Sequence, residues 1–153
     1  MPKPSLQPRR ALKSTTALTL LLAIALGAAT TASAATLTVT FTGLKTLTGA
    51  VMMSLSASPE AWDGKVPPTD QRKIPADAAT VTATFVDLKP GTYAVRAFHD
   101  IDGDGKLNTN PFGMPTEPYA FSNNAHGSMG PASWGDAVFT VTDGDNRQTI
   151  DID

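Results

Sequence analysis

Thr36-Leu-Thr-Val-Thr-Phe41 decides how the rest of the chain is read. In an extended backbone successive side chains point to opposite faces, so Leu37, Val39 and Phe41 share one side and Thr36, Thr38 and Thr40 the other. Thr, Val and Phe favour a pleated surface, and this order gives it one dry face and one wet face. The segment therefore predicts a strand that covers a core on one side only.

The same two-residue period recurs outward from this point. Val51, Met53 and Leu55 alternate with Met52, Ser54 and Ser56. Val81, Ala83 and Phe85 alternate with Thr80, Thr82 and Thr84, and Tyr93, Val95 and Ala97 with Ala94, Arg96 and Phe98. Phe139 and Val141 alternate with Thr140 and Thr142, and Ile150 and Ile152 with Asp151 and Asp153. A further strand is expected near Tyr119–Ser122. The connections Leu44–Gly49, Lys89-Pro90-Gly91 and Thr142–Arg147 read as antiparallel turns. Pro90-Gly91 supplies the fixed φ and then the positive φ of a type II turn. No stretch after residue 34 sustains a helical period with caps. The expectation is an all-β fold, a small antiparallel β-sandwich of about seven strands.

Two long connections remain. Ser58–Ala78 contains Pro59, Pro67, Pro68 and Pro75, and predicts one short helical turn after Ser58-Pro59. Asp100–Asp136 carries Phe112, Met114, Tyr119, Phe121, Met129 and Trp134. That is too apolar for a disordered segment, so it is read as one long ordered cap loop over an end of the sandwich. Within it, Ser122-Asn123-Asn124 suits a tight turn, because Asn tolerates positive φ.

Three acidic residues are packed into Asp100-Ile-Asp102-Gly-Asp104, followed by Gly105-Lys106-Leu107-Asn108. Ca²⁺ takes six to eight oxygen ligands from a loop that curls around it. Alternate acids place three carboxylates on the inner side of such a turn, and Gly105 permits the bend. The Lys106 carbonyl faces inward in this pattern, and Asn108 offers a direct or water-bridged oxygen. These are the first nine positions of an EF-hand loop. The twelfth position, where a bidentate Glu belongs, is Pro111, and the flanks are a strand and a Pro-rich loop rather than two helices. Asn110 or Glu117 is left to supply the missing ligand. The expected metal set is Asp100, Asp102, Asp104, Lys106, Asn108 and Glu117, holding Ca²⁺ weakly, at about 10⁻⁴–10⁻³ M. The plain alternative is a solvated Asp-Gly hairpin tip, which needs no ion.

Other chemistries have less behind them. His99 and His126 are the only histidines and there is no Cys, so a zinc site lacks ligands. His99 continues the alternation of Tyr93, Val95 and Ala97, and reads as the end of a core face bonded to a loop carbonyl. No Gly-x-Ser-x-Gly elbow, phosphate loop or His-Glu-x-x-His is present. Trp62, Trp134, Tyr119 and Phe121 read first as packing under a long loop, and second as a groove for a sugar or peptide.

Residues 1–34 have the three parts of a secretory signal. Lys3, Arg9, Arg10 and Lys13 precede an apolar stretch from Ala17 to Ala29, and Ala32-Ser33-Ala34 forms a small-residue exit. Thirteen apolar residues are short for a span of about 30 Å. Arg9-Arg10 invites a twin-arginine reading, but the strong apolar stretch favours the general secretory route. Cleavage after Ala34 would leave one domain, 35–153, soluble in the periplasm or outside the cell, with no stable membrane insertion. The leader holds four of the 12 basic residues and none of the 14 acidic ones, so the remainder carries eight against fourteen, a formal charge of −6. That excess argues against nucleic acid as a partner, since phosphate contacts need a basic footprint.

Several short runs recur together: Gly43-Leu44, Leu88-Lys-Pro-Gly-Thr-Tyr-Ala-Val95, Phe98-His-Asp100, Gly103-Asp-Gly-Lys-Leu107, Gly113-Met-Pro115 and Tyr119-Ala-Phe-Ser-Asn-Asn124. With Gly127, Gly130-Pro131 and Trp134 they resemble the bacterial domain-of-unknown-function family 2141. The resemblance covers essentially all of residues 35–153. It implies a small envelope-exported protein with an immunoglobulin- or transthyretin-like sandwich, and supplies no activity. The sequence thus favours a non-enzymatic envelope module with a Ca²⁺-ordered loop that presents a surface to an envelope protein or carbohydrate. A small envelope hydrolase using carboxylates or His99 is the alternative, and a structural assembly subunit with an exposed sheet edge is the third reading.

Overall fold

Alternation becomes two sheets facing each other in the computed structural model, which describes residues 34–152. The leader apart from Ala34 lies outside those residues, as does Asp153. Strands β1 (Ala35–Thr42), β4 (Val81–Leu88) and β8 (Gly144–Asp151) form one sheet in the order β4-β1-β8. Strands β2 (Ala50–Ser56), β3 (Asp70–Pro75), β5 (Gly91–Asp100) and β6 (Tyr119–Phe121) form the other, in the order β3-β2-β5-β6. Strand β7 (Phe139–Val141) pairs with the first residues of β5. Ala35, Leu37, Val39 and Phe41 are fully buried while their Thr neighbours are half-buried. They pack with Val51, Met53 and Leu55 of β2, Phe85 of β4, Val95 of β5 and Ile150 of β8 in one core between the sheets. The all-β sandwich expected from the sequence is the fold.

Its connectivity differs from the expected hairpins. Leu44–Gly49, Lys89-Pro90 and Thr142-Asp143 each carry the chain from one sheet to the other, so none joins a paired couple. The two outer strands of the first sheet flank β1 with opposite sense: β4 runs antiparallel to it, and β8 parallel, from Ala35↔Gly144 to Thr42↔Asp151. Crossing between sheets also removes the need for a type II turn at Pro90-Gly91. Gly91 opens β5, and the left-handed residue of this region is Asp87 at φ 57°. Leu37 faces Phe85 and Ala35 faces Leu88, so Val86 and Asp87 together oppose Thr36 in a β-bulge.

Among the described residues there are eight strands rather than about seven, because β3 has the composition of a loop. Asp70-Gln-Arg-Lys-Ile-Pro75 is an edge strand with mostly exposed charged residues, and lacks the dry face that makes strands visible. Strand β8 is also an edge, buried only at Ile150, so its first half resembles a turn. Asn146 adds to that likeness by accepting from Thr142 N–H at 3.0 Å and donating to the Thr142 carbonyl at 2.7 Å.

The cap lies on the outer face of the second sheet instead of across an end of the sandwich. The expected helical turn is α1 (Pro59–Trp62), capped by Ser58 Oγ accepting from Ala61 N–H at 3.3 Å. Trp62 packs with Ala94, Phe121, Ala132 and Ala137, and its indole N–H donates to the Ala132 carbonyl at 3.1 Å. A second short helix, α2 (Trp134–Ala137), closes this cluster. Asn123 and Asn124 take positive φ, as their residue type allows, and Asn124 Oδ1 accepts from Asp151 N–H at 2.9 Å. Beside the cluster, two cross-strand rows of the outer face are half-buried or exposed except at Phe121, which the cluster buries. Lys73, Met52, Phe98 and Tyr119 form one; Gln71, Ser54, Arg96 and Phe121 form the next.

Candidate metal centre

Strand β5 carries its alternation to the last residue. Ala94, Arg96, Phe98 and Asp100 point outward, and Tyr93, Val95, Ala97 and His99 inward. The Asp100 carboxylate therefore starts at the end of a rigid strand paired with Ala50, and has no exposed surface. The loop winds around it: Gly103 N–H donates to Oδ1 at 2.9 Å and Gly105 N–H to Oδ2 at 3.1 Å. Both glycines sit at φ 81°, where a side chain would strain the backbone.

The next two acids form local turns. Asp102 Oδ1 accepts from Asp104 N–H at 3.2 Å and Oδ2 from Asn108 Nδ2 at 2.8 Å. Asp104 Oδ1 accepts from Lys106 N–H at 2.8 Å. Past Asn108 the chain makes a second small hairpin, with Thr109 bridged to Pro115 and Thr116 N–H on the Asn108 carbonyl at 2.8 Å. Asn110 Oδ1 holds its tip by accepting from Phe112 N–H at 2.9 Å and Met114 N–H at 3.1 Å. The hairpin returns Glu117 to the start of the loop. There its Oε1 accepts from Ile101 N–H at 2.8 Å and its Oε2 from Asn108 N–H at 3.0 Å.

Asp100, Asp102 and Glu117 thus place one carboxylate oxygen each within 4.8 Å of one another, with Asp100 and Glu117 buried and Asp102 exposed. Two unit charges about 4–5 Å apart repel by roughly 3–4 kcal/mol at an effective dielectric of about 20. Backbone N–H groups offset part of this for the buried pair. Among the described residues neither ion pair involves these acids; Lys65–Asp63 and Arg72–Asp70 lie elsewhere. Each carboxylate oxygen has a second lone pair beyond the bonds above, and those are what a hard cation uses.

Of the six residues expected from the sequence, the structure groups three. Asp104 is directed to Lys106 N–H, Lys106 enters through that N–H, and Asn108 supports Asp102 and Glu117 as a donor. His99 is buried at 1 % exposure between the sheets, its Nε2 2.7 Å from the Thr48 carbonyl oxygen. His126 lines a separate cavity of about 430 Å³ with Asn124, Gly127 and Asp151. Among the described residues neither His99 nor His126 joins the cluster of Asp100, Asp102 and Glu117.

The family model for uncharacterised proteins conserved in bacteria, DUF2141, matches residues 39–149, from within β1 to within β8. The chain belongs to the DUF2141 family. The matched span holds both sheets, the acidic loop and the cap, so the centre is part of the DUF2141 domain and not an appendage to it. No curated protein and no solved structure matches the chain.

Proposed function

We propose that this DUF2141 protein is an exported, non-enzymatic β-sandwich module in which a Ca²⁺-type cation at Asp100, Asp102 and Glu117 orders the 100–117 loop for contact with an envelope partner. The signal-like residues 1–34 underlie the export reading, with release into the periplasm or beyond after Ala34. The observation that carries the cation reading is the triad itself: three carboxylates within 4.8 Å, two of them buried, with no ion-paired Lys or Arg among the described residues. Oxygen-only donors match Ca²⁺ better than a transition metal. The partner reading rests on what the loop displays. Phe112 and Met114 are 90 % and 61 % exposed at the tip of the hairpin that brings Glu117 to the triad. Binding at one end of that hairpin stiffens the other, which lowers the ordering cost of a protein or carbohydrate contact.

Thermal unfolding with and without Ca²⁺ tests this. For a dissociation constant of about 10⁻⁴–10⁻³ M, roughly 10 mM Ca²⁺ adds about 1.4–2.7 kcal/mol. The melting temperature should rise by at least about 5 °C. Asp102→Ala should abolish the rise. An unchanged melting temperature in Ca²⁺, with the Asp102 variant behaving as the parent, would sink the proposal.

A further inference from the structure

The two rows beside the Trp62 cluster on the second sheet are the floor of a cavity of about 560 Å³, within the range of small-molecule sites. Met52, Phe98 and Tyr119 make one side of the floor and Ser54, Arg96 and Phe121 the other. Gly105 and Leu107 of the acidic loop stand at one wall and Pro131 of the cap contributes another part of the lining. A second cavity of about 480 Å³, bordered by Pro67 and Pro68, shares Ser54, Gln71 and Arg96 with the first. Arg96 is the residue common to both that carries a charge.

Arg96 is held in a fixed pose. Its guanidinium donates to the Trp62 carbonyl and lies 4.4 Å from the centre of the Trp62 ring. Burial pulls it below the usual arginine range, and the nearby Asp63 only partly opposes this. One N–H is thereby engaged, and a guanidinium has five. Neither Arg96 nor Lys73 has an ion-pair partner among the described residues. The cavity lining has no acid, and its cations besides Arg72, which Asp70 pairs, are Lys73 and Arg96, on a chain whose residues 35–153 are acidic overall. A half-buried, oriented cation beside three aromatic rings and a methionine is complementary to an oxyanion attached to a flat apolar body.

We propose that this cleft binds a small organic oxyanion, with the anionic group on Arg96 and Lys73 and the apolar body over Met52, Phe98 and Tyr119. The site is distinct from the carboxylate triad, which repels anions. Its floor is built from β2, β5 and β6, so it does not require a cation in the acidic loop.

Titration with 2-naphthoate and its neutral isostere 2-naphthamide, followed by NMR, tests this. The titration is run with and without Ca²⁺, and the preference should be the same in both, since the floor lies outside the acidic loop. Naphthoate should bind about tenfold or more tightly than naphthamide, since the charge-assisted bonds are lost in the amide. Amide shifts should map to Met52, Phe98 and Leu107. Arg96→Gln should reduce the preference to within about twofold, and Arg96→Lys should retain part of it. Lys73→Gln, on the edge strand, provides a variant that leaves Trp62 untouched and should lower the preference about two- to threefold. Equal affinity for the two probes, no saturation of either below about 5 mM, or shifts confined to the cavity at His126 would each overturn the proposal.

Discussion

Glu117 Oε2 accepts the backbone N–H of Asn108 at 3.0 Å while its Oε1 accepts from Ile101 at 2.8 Å, so one buried carboxylate joins both ends of the acidic loop. Glu117→Gln exchanges one acceptor oxygen for a donor that faces an N–H. Removing a charged acceptor from a buried site costs about 1–3 kcal/mol. Urea unfolding without Ca²⁺ should show a loss of that size with an unchanged m-value. The Ca²⁺-dependent rise in melting temperature should also shrink. A loss of stability with a full Ca²⁺ response would leave Glu117 as a loop clamp only.

Asp102 and Asp104 look equivalent in the sequence but have different neighbours. Asp102 faces Asp100 and Glu117, whereas Asp104 Oδ1 accepts from Lys106 N–H at 2.8 Å. Asparagine retains such a local turn, since its side-chain oxygen accepts the same bond. Asp104→Asn should therefore change Ca²⁺ affinity by less than about threefold, and Asp102→Asn should weaken it by about tenfold or more. Calorimetric titration of the two variants separates them. Equal losses would mean that the loop binds as the first positions of an EF-hand after all.

What could be read in the sequence follows from which strands have a dry face. Strands β1, β2, β4 and β5 alternate because one side meets the core, and their inner residues were legible one by one. Strand β3 borders the sheet without a dry face, and β8, which pairs parallel to β1 across more than a hundred residues, alternates only at its end, at Ile150 and Ile152. The acidic loop was visible from its spacing. The reach of Glu117 was hinted at only by Pro111 at the twelfth position. The cleft was not legible: alternation places Arg96 and Phe98 on one face, but a floor also needs Met52 and Tyr119 beside them, which strand pairing alone decides.

Ser122 pins the cap to β5. It is fully buried, its Oγ accepts from Val95 N–H at 2.9 Å, and its hydroxyl donates to the Ala137 carbonyl at 2.5 Å. Alanine would leave a buried N–H and a buried carbonyl without these partners, at about 1–3 kcal/mol each before relaxation. Ser122→Ala should lower stability by roughly 2–4 kcal/mol. Its effect should appear first as faster amide exchange at Val95 and Val138, where the cap meets the sheet. Unaltered exchange there would show that the Trp62 cluster holds the cap without the hydroxyl.

Gly49 couples the fold to the carboxylate triad. Thr48, just before it, offers its carbonyl to His99, and the Gly49 carbonyl accepts from Ala76 N–H at 3.1 Å. The glycine has φ 71°, and a Cβ added there would stand 1.9 Å from the Asp100 carbonyl oxygen and 2.9 Å from Ile101 Cα. Both contacts are backbone, so Gly49→Ala has to displace the end of β5. The displaced segment carries the Asp100 carboxylate and the Ile101 N–H that holds Glu117. Gly103 is the control: it has φ 81°, but nothing lies within 4 Å of its added Cβ. Gly103→Ala should lose only the left-handed backbone penalty, about 1–2 kcal/mol. Gly49→Ala should lose more than about 3 kcal/mol, because strain and a rigid clash add. At temperatures where it remains folded, Ca²⁺ affinity should also fall by about threefold or more, because two of the three carboxylates depend on that backbone. Equal stabilities for the two alanine variants would show that the end of β5 can yield freely at Asp100.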